Sequence, residues 1–243
     1  MTTLRMNKAL AAAGLCSRRK ADELIRSGAV ALNGVTVSEP GVCLDPDLDR
    51  LSVNGRDIDL GAGLASHTYI MLNKPIQVLS TVKDPQGRTT VLDCLPGKFR
   101  QKRLYPVGRL DYFSEGLLLL TDDGALTQLL MHPRYHLPRS YRLRVREKAE
   151  AHMLDKMRRG MILSEGETLL PARVELVDPH TLHITLRQGV NRQIRRMCRD
   201  LGLTILFLQR FGFGPLRLGD LSKGDCRTLE DVEVAALKSA AGA

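Results

Sequence analysis

The stretch Gly108-Arg109-Leu110-Asp111-Tyr112-Phe113-Ser114-Glu115-Gly116-Leu117-Leu118-Leu119-Leu120-Thr121 joins a polar, aromatic turn to an unbroken apolar run. Gly116 to Thr121 reads as a strongly apolar strand, stopped by Asp122-Asp123-Gly124. Asp111 then stands at a strand edge beside Arg109, with Tyr105, Tyr112 and Phe113 as aromatic neighbours. A carboxylate so placed can be partly desolvated yet held ionised by an arginine. Taken alone, such an aspartate is also an ordinary turn residue.

Outward from this run, strands and helices mix without a βαβ rhythm. Tyr69 to Leu72 predicts a buried strand ending at Asn73-Lys74-Pro75. Ala125 to Met131 predicts a helix broken at Pro133. Ser140 to Val145 and Leu182 to Leu186 alternate as half-exposed strands, residues 191–201 predict a helix, and Leu203 to Leu208 returns to strand. The expected class is α+β, and no internal repeat is present.

Upstream, residues 5–28 predict two short helices. Leu4, Leu10 and Ala11 stripe the first, which ends at Gly14, and Ser17 caps the second. Asn33-Gly34 between Ala29–Leu32 and Val35–Val37 marks a hairpin with a primed turn, and Arg50–Val53 runs into Asn54-Gly55. Residues 1–38 carry Arg5, Lys8, Arg18, Arg19, Lys20 and Arg26 against Asp22 and Glu23, whereas residues 39–60 are dominated by acids. A small unit over 1–60, neutral overall but with a basic face, is therefore expected. A Gly-rich linker follows at 61–67, then a larger unit over 68–236 and a short tail over 237–243.

The whole chain has 243 residues, 43% hydrophobic and 26% charged, with a formal net charge of +9. Those values suit a globular protein with a polyanionic partner. No apolar run approaches the roughly 20 residues of a membrane span, and the first residues lack a signal-peptide core. A cytoplasmic address follows. Cys16, Cys43, Cys94, Cys198 and Cys226 are scattered and never spaced Cys-x-x-Cys, which speaks against a disulfide framework or zinc knuckle. His132 and His136 are interrupted by Pro133, so no metal is expected. Serine-triad order, a Walker loop and a dinucleotide fingerprint are also missing.

Positive charge concentrates again at Arg187, Arg192, Arg195, Arg196 and Arg199. On a helix the last four fall at i, i+3, i+4 and i+7, while Ile194, Met197, Cys198 and Leu201 anchor another face. Like charges this close call for an anion, either phosphates or a buried carboxylate. Further cations are Lys98, Arg100, Lys102, Arg103, Arg134, Arg139, Arg142, Arg144 and Arg146. Of these, Arg142, Arg144 and Arg146 share a strand face that could track a phosphate backbone or be an ordinary charged surface.

Together these pieces resemble the RsuA/RluB-type ribosomal RNA pseudouridine synthases. The match rests on Leu72-Asn73-Lys74-Pro75, Gly108-Arg109-Leu110-Asp111, Gly116 to Thr121, Tyr141, Gly189-x-Asn191-Arg192-Gln193-Ile194-Arg195-Arg196-Met197 and Gly214-Pro215-Leu216. Cys16-Ser17-Arg18-Arg19-Lys20-Ala21-Asp22 and Gly28-x-Val30-x-Leu32-Asn33-Gly34 resemble an S4 RNA-binding domain. The resemblance implies an S4-like domain followed by a catalytic domain with a mixed, mainly antiparallel sheet flanked by helices. It implies Asp111 as the catalytic carboxylate, acting either as nucleophile on the anomeric carbon or as base at the 2′ position. Arg195 would pair with Asp111, Tyr141 would stack on the base and assist proton removal, and Leu208 would pack the base. Arg109 would fill the gap left by the flipped nucleotide. Arg18, Arg19, Lys20, Arg192, Arg196 and Arg199 would grip RNA. No cofactor is implied, and a monomer is expected.

Ser114 stands where the pattern has Thr, Val190 where a basic residue is common, and Phe207 where Arg is common; the last two bear on substrate grip. Asp84-Pro85-x-Gly87-Arg88-Thr89-Thr90-Val91 and Leu130-Met131-His132-Pro133 point to a 23S rRNA substrate or an assembly intermediate containing it. A 16S target ranks second and tRNA third. A non-catalytic RNA-binding or assembly factor is opposed by the joint presence of Asp111, Tyr141 and Arg195.

Overall fold

The computed structural model describes residues 3–60, 67–99, 101–135 and 137–242. Arg100, His136 and the expected linker, apart from His67, lie outside the described residues. The chain divides into two compact units, Met1–His67 and Thr68–Ala243.

In the first unit, β1 (Leu4–Arg5) leads into α1 (Met6–Ala12) and α2 (Arg18–Arg26). Next come β2 (Val30–Leu32), β3 (Val35–Val37), β4 (Cys43–Leu44), β5 (Leu51–Val53) and β6 (Arg56–Ile58). Ser17 caps α2 by accepting from Lys20 N at 3.2 Å. Asn33 and Gly34 have φ of 51° and 81°, and Asn54 and Gly55 have 50° and 74°. Positive φ at both central residues matches the strand twist, so each Asn-Gly closes a tight hairpin. The antiparallel sheet runs β3-β2-β5-β6, and β1 pairs with β4 apart from it. Met6, Leu10, Ala21, Ile25, Val30, Leu44 and Leu51 form its core. Leu4, expected on the first helix, lies instead in β1.

The second unit contains β7 (Tyr69–Lys74), β8 (Tyr105–Pro106), β9 (Glu115–Thr121), α3 (Gly124–Met131) and β10 (Arg139–Val145). It continues with α4 (Ala151–Arg159), β11 (Arg173–Asp178), β12 (Thr181–Leu186), α5 (Gln193–Asp200) and β13 (Ile205–Phe213). β14 (Leu216–Arg217), β15 (Cys226–Thr228) and α6 (Asp231–Ala240) complete it. Among the described residues these strands form one nine-stranded sheet in the order β11-β12-β10-β13-β9-β7-β15, with β14 on β13 and β8 on β9. All named pairings are antiparallel except β13 with β9, which runs parallel at Gln209↔Glu115 and Arg210↔Gly116. Every residue of β9 is buried, as its uninterrupted leucines require of a strand covered on both faces. The fold is thus α+β with a mixed, mainly antiparallel sheet.

Two expectations change. The helix over 191–201 begins only at Gln193, because Arg192 takes a left-handed conformation (φ 49°) and serves as its N-cap. The four arginines therefore do not share one helical face. The tail expected from residue 237 is instead the end of α6, opened by a capping box between Glu230 and Glu233. Leu237 and Ala241, four residues apart, are fully buried against the sheet.

Candidate active site

The segment 110–114 is fastened from several directions. Lys74, at the end of β7 and 0% exposed, donates its ammonium protons to the carbonyls of Pro75 (2.9 Å), Asp111 (3.2 Å) and Ser114 (2.8 Å). Burial pushes its pKa down to about 8. Ser80 Oγ donates to Leu110 O at 2.9 Å and accepts from Leu110 N at 3.1 Å. Gln77 N donates to Tyr112 O at 2.6 Å, and Ser114 N closes the turn on Asp111 O at 3.0 Å. Sequence reasoning quoted Lys74 only as part of a motif and missed Ser80; a lysine ending a buried strand was the available signal.

Asp111 Oδ2 lies 3.4 Å from Arg195 Nε, with the two side chains 37% and 20% exposed. The other end of the guanidinium donates to Phe113 O at 2.7 Å and Ser114 Oγ at 3.1 Å. Arg195 thus holds both the carboxylate and the backbone of its turn. The hydroxyl that Ser114 shares with the expected Thr is engaged. The aromatic neighbours behave differently from expectation. Tyr105, on β8, points its hydroxyl away to the start of α3, near Gly124. Tyr112 and Phe113 pack edge to face at 5.0 Å and remain exposed.

Asp111 and Arg195 border a cleft of about 730 Å³ that also reaches Tyr141, Leu208 and Arg109. Tyr141 on β10 sits opposite Arg210 on β13. Leu208 is buried opposite Leu143, with its edge on the cleft. Arg109 is exposed on the wall. The catalytic and base-binding candidates thus line one cavity.

The RNA-gripping candidates divide. Arg196 pairs with Glu165 at 3.1 Å and with Glu167, and Arg199 with Glu165 at 2.7 Å and Asp200 at 2.7 Å. Hydrogen bonds from Arg199 first, then Arg196, draw Glu165 down to about 2. Carboxylates brought in from the chain before β11 neutralise the charges that looked unopposed in sequence. Arg192 is exposed, lines the cleft, and carries no ion pair among the described residues. Arg18, Arg19 and Lys20 are exposed in the first turn of α2, where no acidic residue stands; among the described residues only Lys20 has an ion-pair partner, Glu23. Cations at the positive end of a helix are unfavourable by a few tenths of a kcal/mol or more each, and an anion there is favoured.

Comparison with known proteins identifies the family. The family model described as RNA pseudouridylate synthase matches residues 68–200, and the S4 domain model matches residues 4–47. A Bacillus subtilis (strain 168) relative named ribosomal large subunit pseudouridine synthase B is 38% identical over 98% of this chain and 96% of its own length. An Aquifex aeolicus (strain VF5) relative named an uncharacterized RNA pseudouridine synthase is 37% identical over 100% of this chain and 96% of its own. A crystal structure titled as that of a pseudouridylate synthase superposes with a TM-score of 0.70 at 28% identity, covering 96% of this chain and 99% of that one. The chain belongs to the RNA pseudouridine synthase family, with an S4 domain ahead of its catalytic unit.

Proposed function

We propose that this protein converts a uridine of 23S rRNA to pseudouridine, with Asp111 as the catalytic carboxylate. The observation that carries the reading is the Asp111–Arg195 pair at 3.4 Å on the wall of a cleft floored by Tyr141 and Leu208. Isomerisation cleaves the bond between ribose and base, turns the base, and joins C1′ to C5. It requires a carboxylate at the sugar and a flat pocket for the base, with no external oxidant or donor. Asp111 faces the Arg195 guanidinium, placed to act as nucleophile at C1′ or as base at the 2′ position. Tyr141 and Leu208 clasp the flipped uracil, and Tyr141 assists proton removal from the rejoined carbon. Arg109 fills the space the base leaves, and Arg192 takes a flanking phosphate. Arg196 and Arg199 contribute only where RNA displaces their carboxylates, while Arg18, Arg19 and Lys20 hold RNA on the S4 unit. The protein works as a cytoplasmic monomer on rRNA or an assembly intermediate, and the name of the 38%-identical relative favours the large subunit.

Two measurements test this. Asp111→Asn should abolish pseudouridine formation in 23S rRNA transcribed in vitro; retained conversion overturns the catalytic assignment. Pseudouridine maps of rRNA from cells lacking the protein should lose a 23S mark. A lost 16S mark overturns the substrate.

A further inference from the structure

The floor of the cleft holds two arginines that have no ion-pair partner among the described residues. Arg139 on β10 and Arg210 on β13 hold their guanidinium carbons 5.8 Å and 5.4 Å from the centre of the same ring, Phe213. Arg210 is 2% exposed and donates Nε to Leu117 O at 2.8 Å. Arg139 is half-buried and has no hydrogen-bond or ion-pair partner among the described residues. Burial above all draws Arg139 below an arginine's ordinary pKa; the neighbouring Tyr141 hydroxyl opposes this, and the Arg210 charge adds to it.

Gly189 shows where the Arg139 side chain reaches. A Cβ built there would lie 3.5 Å from Arg139 Nη1, so the guanidinium extends to the turn that opens α5. In that turn Gln193, 4% exposed, accepts from Val190 N at 3.4 Å, and its buried Nε2 has no partner. Arg139, Gln193 and Arg210 all line the cleft with Tyr141 and Leu208. The Gln193 amide nitrogen and the Arg139 guanidinium are thus donors without a hydrogen-bond acceptor among the described residues. Two guanidiniums around one ring in a partly dry site repel, and an unmatched buried charge is costly. An arriving anion is the natural relief.

We propose that Arg139, with Gln193 beside it, contacts the uracil base and carries its negative charge once it has left the sugar. This rests on the pseudouridine synthase reading above. When the C1′–N1 bond breaks, its electron pair leaves with N1. If Asp111 attacks C1′, its charge is consumed in an ester; if it takes the 2′ proton, it becomes a neutral acid. On either route the negative charge moves from Asp111 to uracil, spread over N1, O2 and O4. Arg195 neutralises the first location and Arg139 the second. Attack by C5 on C1′ then forms the new bond as the C1′–Asp111 ester bond breaks or, on the other route, as C2′ takes back the proton from Asp111. The charge so returns to Asp111, and uracil loses its C5 proton and gains one at N1. A backbone phosphate fits this corner less well. It must stay with its strand near the rim, where Arg109 and Arg192 are exposed, while the corner adjoins the base-clasping Tyr141 and Leu208.

The test uses the full chain under single turnover, on 23S rRNA transcribed with uridine or with 5-fluorouridine. Fluorine stabilises the anion of the detached base. The readout is loss of the N-linked nucleoside at the target position, by digestion and mass spectrometry. Arg139→Gln should slow the uridine substrate about 100-fold or more, as loss of one preorganised donor to a developing anion does. RNA affinity should stay within about twofold, and the 5-fluorouridine substrate should lose at least about tenfold less. Arg139→Lys should recover part of the rate, and it supplies the same comparison if the glutamine variant is unfolded. Equal slowing of both substrates overturns the inference, as does a loss confined to affinity with a shallower salt dependence, which would mark a phosphate contact. Wild-type protein that converts neither substrate overturns the functional reading instead.

Discussion

Gly116→Ala tests whether the parallel junction of β9 and β13 sets the active-site geometry. Gly116 has φ +105°, and a Cβ placed on it would fall 2.2 Å from Arg210 O and 2.8 Å from Arg210 N. Both contacts are backbone, so no side chain can swing aside. The left-handed conformation costs an L-residue about 1–2 kcal/mol. Forced overpacking adds about 1–3 kcal/mol. Parting the strands endangers the short parallel ladder at Gln209↔Glu115 and Arg210↔Gly116, at about 1 kcal/mol per hydrogen bond. A loss of about 4–6 kcal/mol follows, a third or more of a typical domain's stability. The chain has no Trp, so urea unfolding is best followed by far-ultraviolet circular dichroism. Gly97→Ala is the control, since its Cβ meets nothing within 4 Å, and it should shift stability by less than about 0.5 kcal/mol. Turnover should fall with stability in Gly116→Ala, because the shifted backbone carries Arg210 and adjoins the 111–114 turn. A variant within about 1 kcal/mol of wild type and fully active would refute the reasoning.

Lys74→Met should loosen the catalytic turn, lowering kcat more than RNA affinity, because three carbonyls lose their shared donor. Folded Lys74 sheds its proton near pH 8 and unfolded Lys74 near 10.5. Between those values the unfolded chain binds more protons, so wild-type stability should rise relative to Lys74→Met, by up to roughly 3 kcal/mol; parallel pH profiles in thermal melts would contradict this. Arg192→Gln should lower the slope of log affinity against log salt for 23S rRNA by nearly one unit. Arg196→Gln, whose native partners are Glu165 and Glu167, should change it far less, and equal effects would show that RNA displaces those carboxylates. Leu237→Ala should cost about 2–5 kcal/mol, whereas a dispensable tail would leave the unfolding midpoint unchanged.

Features governed by neighbours along the chain are legible in the residues themselves. Asn33-Gly34 and Asn54-Gly55 demand positive φ and form hairpins, Ser17 caps its helix, and the leucines of β9 become a strand buried on both faces. Harder to read are elements without a strong apolar signature. α4 and β11 offer few large buried side chains, and α6 hides behind an Ala-rich end, so their burial depends on surfaces contributed by distant strands. The site divides along the same line. Asp111, Tyr141 and Arg195 are identifiable because their motifs are contiguous. Lys74, Ser80, Arg139, Gln193 and Arg210 acquire meaning only from what faces them.

The sequence alone determined the α+β class, the small N-terminal unit with its uneven charge and the aspartate at the edge of β9, since turn chemistry, periodicity and ordered motifs are local properties. Tertiary structure decided which charges are spent. Glu165 and Glu167, about thirty residues from Arg196, come to rest on it, while Arg139 and Arg210 converge on Phe213 with no carboxylate between them. Electrostatic pairing depends on distance through space, which chain position does not encode. All three arginines of α5 thus pair with carboxylates, whereas Arg139 on the cleft floor has no carboxylate partner among the described residues.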